Sequence, residues 1–214
     1  MKKIIVLLST LMVLVFGQVA FGFGISDVSS IAGAGTEKSV EAGPLVAQLN
    51  ETMFNLNTSQ QYIFTAFNLK DDAAQAFKDG EEYKKPNSIN TEAYNRSGKS
   101  NKKIADLMSK GEKLTDEGKK NITLALPSYG KALARSAGLA AELTSAAQVI
   151  TANPMSVVAG PFSAVDLIKV FTTSPVLLKE IVSQGYTLVS YADKNDIDHK
   201  NIPGFDSNAG KDVK

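Results

Sequence analysis

Histidine is the residue type that most metal, haem and hydrolytic sites in helical proteins require, and this chain contains one, His199. A di-iron helical bundle takes Glu-x-x-His motifs from paired helices, so a single histidine cannot supply it. His199 also lies in a polar stretch near the carboxyl end, away from any core that could shield a general base. We therefore predict no metal, haem or other cofactor site that depends on histidine.

The stretch that begins at Asp193 contains Asn195, Asp196 and Asp198 and superficially resembles a calcium-binding loop. Such a loop needs oxygen ligands at alternate positions, a glycine at the sixth position and an acidic residue at the twelfth. Counted from Asp193, the sixth residue is Asp198 and the twelfth is Gly204, so the pattern fails at both. We interpret residues 193–214 as a solvated polar tail that does not pack tightly.

Adjacent carboxylates are the next candidates for acid–base chemistry. Neighbouring residues of a helix point about 100° apart, so such a pair cannot face one substrate atom as a glycosidase pair does. We interpret these carboxylates as solubilising charge. The pairs are Asp71-Asp72, Glu81-Glu82 and Asp116-Glu117.

Serine nucleophiles have no recognisable partner in the sequence. There is no GxSxG motif, and Ser109-Lys110, or Ser100 with Lys103, would form a Ser–Lys dyad only through an accident of tertiary geometry. The absence of cysteine excludes disulfides, thiolate metal sites and a thiol nucleophile. We assign no catalytic, cofactor-binding or metal-binding residue and favour a non-enzymatic role.

The first residues have the three parts of a secretory signal peptide in order. Lys2 and Lys3 are followed by an uncharged run from Ile4 to Phe16 and then by small residues before Phe23. The run is shorter than the roughly 20 apolar residues of a membrane-spanning helix. We predict cleavage between Gly22 and Phe23 and export to the periplasm or the extracellular medium of a bacterium.

Charge gives no indication of a nucleic-acid or lipid partner. Without Lys2 and Lys3, the 23 basic residues fall to 21, against 22 acidic ones. The most basic stretch, Arg96–Lys120, has acidic residues interleaved and no aromatic residue to stack on bases. We therefore predict no nucleic-acid binding.

The remaining residues must fold by their own core, and their pattern predicts helices. After the signal peptide (1–22) and a Gly/Ser/Ala-rich linker (23–42), residues 43–192 form one predicted helical-bundle domain, followed by the tail. Proline and glycine signals predict five helices with approximate ranges 43–79, 88–125, 128–151, 160–171 and 175–192.

The first predicted helix has the longest apolar stripe, interrupted by Gln60 and Lys70. With the second predicted helix it should form a long antiparallel hairpin that leads the bundle and has a charged tip near residues 80–88. Ser128 is predicted to cap the third helix, and Ser174 the fifth helix, whose first residue would be Pro175. The stripe residues are Leu45, Leu49, Met53, Leu56, Ile63, Phe67, Ala74 and Phe77.

One segment keeps a second function open. Residues 143–165 carry no charge, although two prolines interrupt them. A buried helix–turn–helix corner is the favoured interpretation, and a hairpin that enters a bilayer, as in a pore-former, is the alternative. The leading hypothesis is an exported, non-enzymatic all-α protein that binds an envelope or extracellular protein; an envelope enzyme of unfamiliar mechanism ranks third.

Overall fold

The computed structural model describes residues 39–85, 87–153, 157–199, 202 and 204. All of these belong to one compact unit, Lys38–Lys214. The predicted signal peptide, most of the predicted linker and the end of the predicted tail lie outside the described residues.

Five α-helices account for most of the described chain, which confirms the predicted all-α bundle of about five helices. A short parallel pairing joins Val40 to Val157 and Glu41 to Val158. The elements are β1 (Val40–Glu41), α1 (Ala42–Ala66), α2 (Lys70–Tyr83), α3 (Thr91–Ser109), α4 (Asp116–Ala152), β2 (Val157–Val158) and α5 (Ala164–Lys194).

The first predicted helix is in fact two helices, because α1 ends in a left-handed residue. Asn68 has φ 58°. Its N–H donates to Thr65 O at 3.0 Å, and the N–H of Leu69 donates to Phe64 O at 2.9 Å. These two bonds are those of a Schellman motif, which satisfies the last carbonyls of a helix. The chain therefore reverses at residues 67–69, and α2 returns along α1.

The reversal changes which residues of α2 face inward. Ala73 and Ala76 are buried, whereas Phe77 is 52% exposed and Ala74 is exposed as well. The predicted stripe was therefore wrong beyond Phe67, because a break in a helix resets its periodicity. An antiparallel helical hairpin does lead the bundle, but its turn lies at residues 67–69.

The second predicted helix, 88–125, is also interrupted. Gly111 has φ 68° and its N–H donates to Met108 O at 3.1 Å, which ends α3. Helix α4 then starts after Thr115, whose hydroxyl accepts a bond from Gly118 N at 3.1 Å. The predicted continuation through Gly111 was wrong because glycine adopts the left-handed conformation without steric cost.

Two prolines that were predicted to separate helices lie inside them. Pro127 is within α4 and Pro175 is within α5. Each proline removes one helical hydrogen bond, yet both helices continue because they are packed on both sides of that point. The predicted caps Ser128 and Ser174 were therefore wrong, and Ser163 caps α5 by accepting a bond from Asp166 N at 3.1 Å.

Helix α5 ends with a second Schellman motif, which attaches the start of the tail to the bundle. Asp196 has φ 58°, and the N–H of Ile197 donates to Ala192 O at 2.9 Å. Ile197 is only 6% exposed. The first residues of the predicted polar tail thus belong to α5 or pack on the core.

Candidate functional site

A layer of buried polar side chains lies between α1, α2 and α3. Helical bundles are usually held by apolar contacts, and a buried polar group is stable only when it is hydrogen-bonded. We call this set the polar layer. Its members are Asn50, Asn57, Gln60, Tyr83, Tyr94, Ser97 and Asn101, all of which are buried.

Ser97 lies at the centre of the polar layer. Its hydroxyl donates to Ala93 O at 2.9 Å, accepts a bond from Asn57 Nδ2 at 2.8 Å and lies 3.0 Å from the Tyr83 hydroxyl. Gln60 Nε2 donates to the backbone carbonyl of Ser97 at 2.9 Å. One residue therefore links three helices. Because its proton is engaged and its partners are neutral, Ser97 is a structural group and no activated nucleophile.

Two tyrosines form the outer part of the polar layer. The rings of Tyr83 and Tyr94 are stacked with centroids 5.1 Å apart. The Tyr94 hydroxyl donates to Asn50 Oδ1, and Asn50 Nδ2 donates to Ser88 O at 3.0 Å. Burial raises the pKa of both phenols well above the usual value. They are therefore neutral hydrogen-bonding groups at physiological pH.

An ion pair closes the polar layer on the α2 side. Arg96 donates from Nη2 to Asp79 Oδ1 at 2.7 Å and from Nε to both carboxylate oxygens at 3.0 and 3.2 Å. The Asp79 side chain is 3% exposed and also accepts a bond from Gln75 Nε2 at 3.0 Å. Its hydrogen bond raises the pKa of Arg96. The carboxylate is thus fully engaged in joining α2 to α3.

Some atoms of the polar layer have no hydrogen-bond partner among the described residues. Asn101 is fully buried, and neither its Oδ1 nor its Nδ2 is bonded. The Oε1 of Gln60 is also without a partner. A buried unsatisfied group costs about 1–3 kcal/mol. Asn101 and Gln60 are therefore the two members of the polar layer whose hydrogen bonding within the described residues is incomplete.

A cleft of about 340 Å³ lies at the end of the polar layer, between α1 and the end of α2. Tyr83, Phe54 and Phe162 supply its aromatic wall. The ammonium groups of Lys84 and Lys85 on its rim pair with Glu81 and Glu82 at 2.6 Å each. Its volume is at the lower end for small-molecule sites, and these rim charges already have partners.

The only histidine is not part of such a site. His199 Nε2 lies 2.9 Å from Asp193 Oδ1 at the end of α5. Within the described residues, no group of three or more His, Cys, Asp or Glu side chains could hold a metal ion. The prediction that the chain has no cofactor or metal site stays a prediction.

The carboxylate pairs singled out in the sequence are spread over the surface. Asp72 pairs with Lys103 at 2.8 Å, while Asp116 and Glu117 are exposed in the first turn of α4. Each pair lies on a different helix or at a different end of one. Their positions fit the interpretation as solubilising charge.

The second half of α4 has an outer surface of a different kind. From Ala134 to the end of the helix, Arg135 is the only exposed charged residue, and it pairs with Glu51. We call this surface the charge-poor face. Its exposed members are Ala134, Ala137, Gly138, Ala141, Thr144, Ser145, Gln148, Thr151 and Ala152.

Sequence reasoning missed the polar layer. It treated Gln60 as an interruption of an apolar stripe, whereas Gln60 is a buried member of this layer. A usable signal was the recurrence of Asn57 and Gln60 on α1 and of Ser97 and Asn101 on α3, each at helical spacing. That spacing places polar groups on one face without revealing whether the face is buried.

No protein family, curated protein or solved structure matches this chain significantly. Among the described residues, no helix has the length and apolar character needed to cross a membrane. The membrane-active alternative for residues 143–165 stays a prediction. The function must therefore be argued from the two features above, the polar layer and the charge-poor face.

Proposed function

We propose that this chain is an exported, non-enzymatic helical-bundle protein that binds a protein partner through the charge-poor face of α4. The face carries this proposal because it differs from the exposed surfaces of α2 and α3. The exposed residues of α2 and α3 are largely charged, whereas those of α4 beyond Ala134 are small and mostly uncharged. Charged residues are depleted at the centre of protein interfaces.

Gly138 supports the same surface. It lies in the interior of α4, where glycine costs about 1 kcal/mol relative to alanine. A Cβ added there would meet no atom within 4 Å, so packing inside the bundle does not require the glycine. A second backbone approaching closely from outside would require it. The partner surface that fits is a helix with small or apolar side chains.

Capture from bacterial envelope extract tests this proposal, with the chain from Phe23 onward as bait. Wild-type protein should retain a discrete partner, and Ala141→Arg should lose it because the long charged side chain prevents close approach. Thr123→Arg is the matched control, since Thr123 is exposed on the same helix but outside the charge-poor face. The control should retain the partner.

Equal capture by both variants, or no specific capture by the wild type, would contradict the proposed surface. Sedimentation of the purified proteins provides the second arm. A wild-type dimer that Ala141→Arg dissociates would assign the face to a second copy of this chain, in place of another protein.

The export part of the proposal rests on the pattern of the first 22 residues and has its own test. Mass spectrometry of protein recovered from the envelope fraction or culture medium should show an amino terminus at or near Phe23. Exported protein that retains Met1–Gly22 would indicate an uncleaved anchor.

A further inference from the structure

Of the five helices, α3 has the largest share of polar side chains among its buried residues. Its buried residues are Ala93, Tyr94, Ser97, Asn101, Ile104 and Met108. Half of these carry a polar group, whereas α4 buries mainly Ala, Leu and Ile. Burial of apolar area is the main term that holds a helix in a bundle. We therefore expect α3 to be held less strongly than α4.

Three of the seven buried side-chain polar atoms without partners among the described residues belong to Gln60 and Asn101. Gln60 bonds the carbonyl of Ser97, and in a helix that carbonyl also faces the N–H of Asn101. The side-chain amide of Gln60, which belongs to α1, therefore contacts α3 at the turn that contains Asn101. Both atoms of the Asn101 amide, and Oε1 of Gln60, lack partners among the described residues.

The interface between α3 and α5 has the same character. Leu177 Cδ1 lies 3.5 Å from the position of a Cβ on Gly98, and Lys102 pairs with Glu180 at 3.3 Å. These contacts involve Leu177 and Glu180, which follow Ser174 in α5. Ser174 Oγ is buried and also without a partner among the described residues. Lifting α3 would return such groups to water, which lowers the cost of opening.

The remaining polar contacts of α3 include ion pairs at its outer edges. Arg96 pairs with Asp79, Lys103 with Asp72 and Lys102 with Glu180. The lysine side chains are about half exposed or more, so dissolved salt weakens their pairs. The loop before α3 contains Asn87 and the loop after it contains Gly111, and both residues have positive φ.

We propose that α3 is a displaceable cover on the groove between α1 and α5, which opens as a unit while α1, α4 and α5 stay folded. Opening exposes the polar layer together with apolar side chains of α5 such as Leu177. The inference rests on the buried side of α3 and is independent of the partner-binding surface on α4.

Native-state hydrogen exchange on the chain from Phe23 onward tests this proposal. Amides of α3 should exchange through an opening that leaves α4 protected, so their protection should be lower by at least about tenfold. Raising the salt concentration from low to about 0.5 M should reduce protection in α3 more than in α4. Exchange of α3 and α4 through one common opening in the wild type would overturn the proposal.

Two asparagine variants separate the physical cause from a general change in stability. Asn101→Leu removes two unsatisfied groups and should slow exchange of α3 by about tenfold. Asn57→Leu removes the bonds to Ser97 and should accelerate it, although it makes the same chemical change at an equally buried site. Faster exchange of α3 in Asn101→Leu would show that the Asn101 amide is satisfied, and the proposed cause would be wrong.

Discussion

Helix α1 is covered by α4 on one side and by α3 on another, and the two interfaces are built from different chemistry. Towards α4 the contact is close, since a Cβ on Gly118 would lie 3.1 Å from the carbonyl oxygen of Ala66. Towards α3 the contact is made by amides and hydroxyls, with Asn57 and Gln60 both hydrogen-bonded to Ser97. One helix thus uses two modes of packing.

The two interfaces contribute differently to the stability of the bundle and to the register of its helices. Apolar burial contributes about 25 cal/mol per Å², whereas a hydrogen bond contributes only about 1 kcal/mol after exchange with water. We therefore expect the α4 side to contribute more to the free energy of unfolding than the α3 side. The α3 side restricts the arrangement of the helices, because Gln60 reaches the carbonyl of Ser97 in one register only.

The largest loss of stability should come from a change in the apolar contacts of α4. Leu143 of α4 is fully buried, and Leu143→Ala should lower the free energy of unfolding by about 2–5 kcal/mol, through lost transfer energy and the cavity left behind. Urea denaturation measures this difference. Thr144→Ala is the matched control, because Thr144 is the next residue on the same helix and is exposed.

Urea denaturation of Ser97→Ala tests whether the polar interface contributes less to the free energy of unfolding than the apolar one. That change leaves the Tyr83 hydroxyl without its partner, but Asn57 keeps its bond to Met53 O at 2.8 Å. Its cost should be smaller than that of Leu143→Ala. A larger cost for Ser97→Ala would mean that the polar layer, and not the α4 side, carries the stability.

The fold class could be predicted because apolar periodicity is a local property of the sequence. The helix bounds were less accurate, and the errors have a common cause. Asn68 ends a helix by adopting a left-handed conformation that asparagine reaches more easily than most residues. Pro127, by contrast, does not end one, because tertiary packing outweighs the cost of one lost hydrogen bond.

The polar layer could not be predicted in the same way. Asn50 and Tyr94 are 44 positions apart, and their hydrogen bond exists only because α2 reverses the chain between them. Their residue types are equally common on exposed faces. The charge-poor face overlaps the uncharged segment 143–165, which was predicted to be a buried corner, whereas Thr144, Ser145 and Gln148 are exposed.

The polar layer should also respond to alkaline pH, with a smaller effect than Leu143→Ala. Burial raises the pKa of Tyr83 above the value of about 10 that an unfolded chain gives. Above pH 10 the unfolded state therefore binds fewer protons than the folded state, and stability falls as pH rises. The contribution is fully present below pH 10 and declines by up to about 1.4 kcal/mol per pH unit above it.

Tyr83→Phe removes one ionisable phenol, so the free energy of unfolding should decline less steeply with pH, by the contribution of one proton. The variant should fold, since the Ser97 hydroxyl keeps its bonds to Asn57 and to Ala93 O. Urea denaturation of both proteins at intervals between pH 8.5 and 11 gives the slope, with the value at pH 8.5 as the reference for each. If the slopes coincide, Tyr83 ionises as easily in the folded state as in the unfolded state. The polar layer would then be open to water near Tyr83, which would also weaken the contrast with the closely packed α4 side.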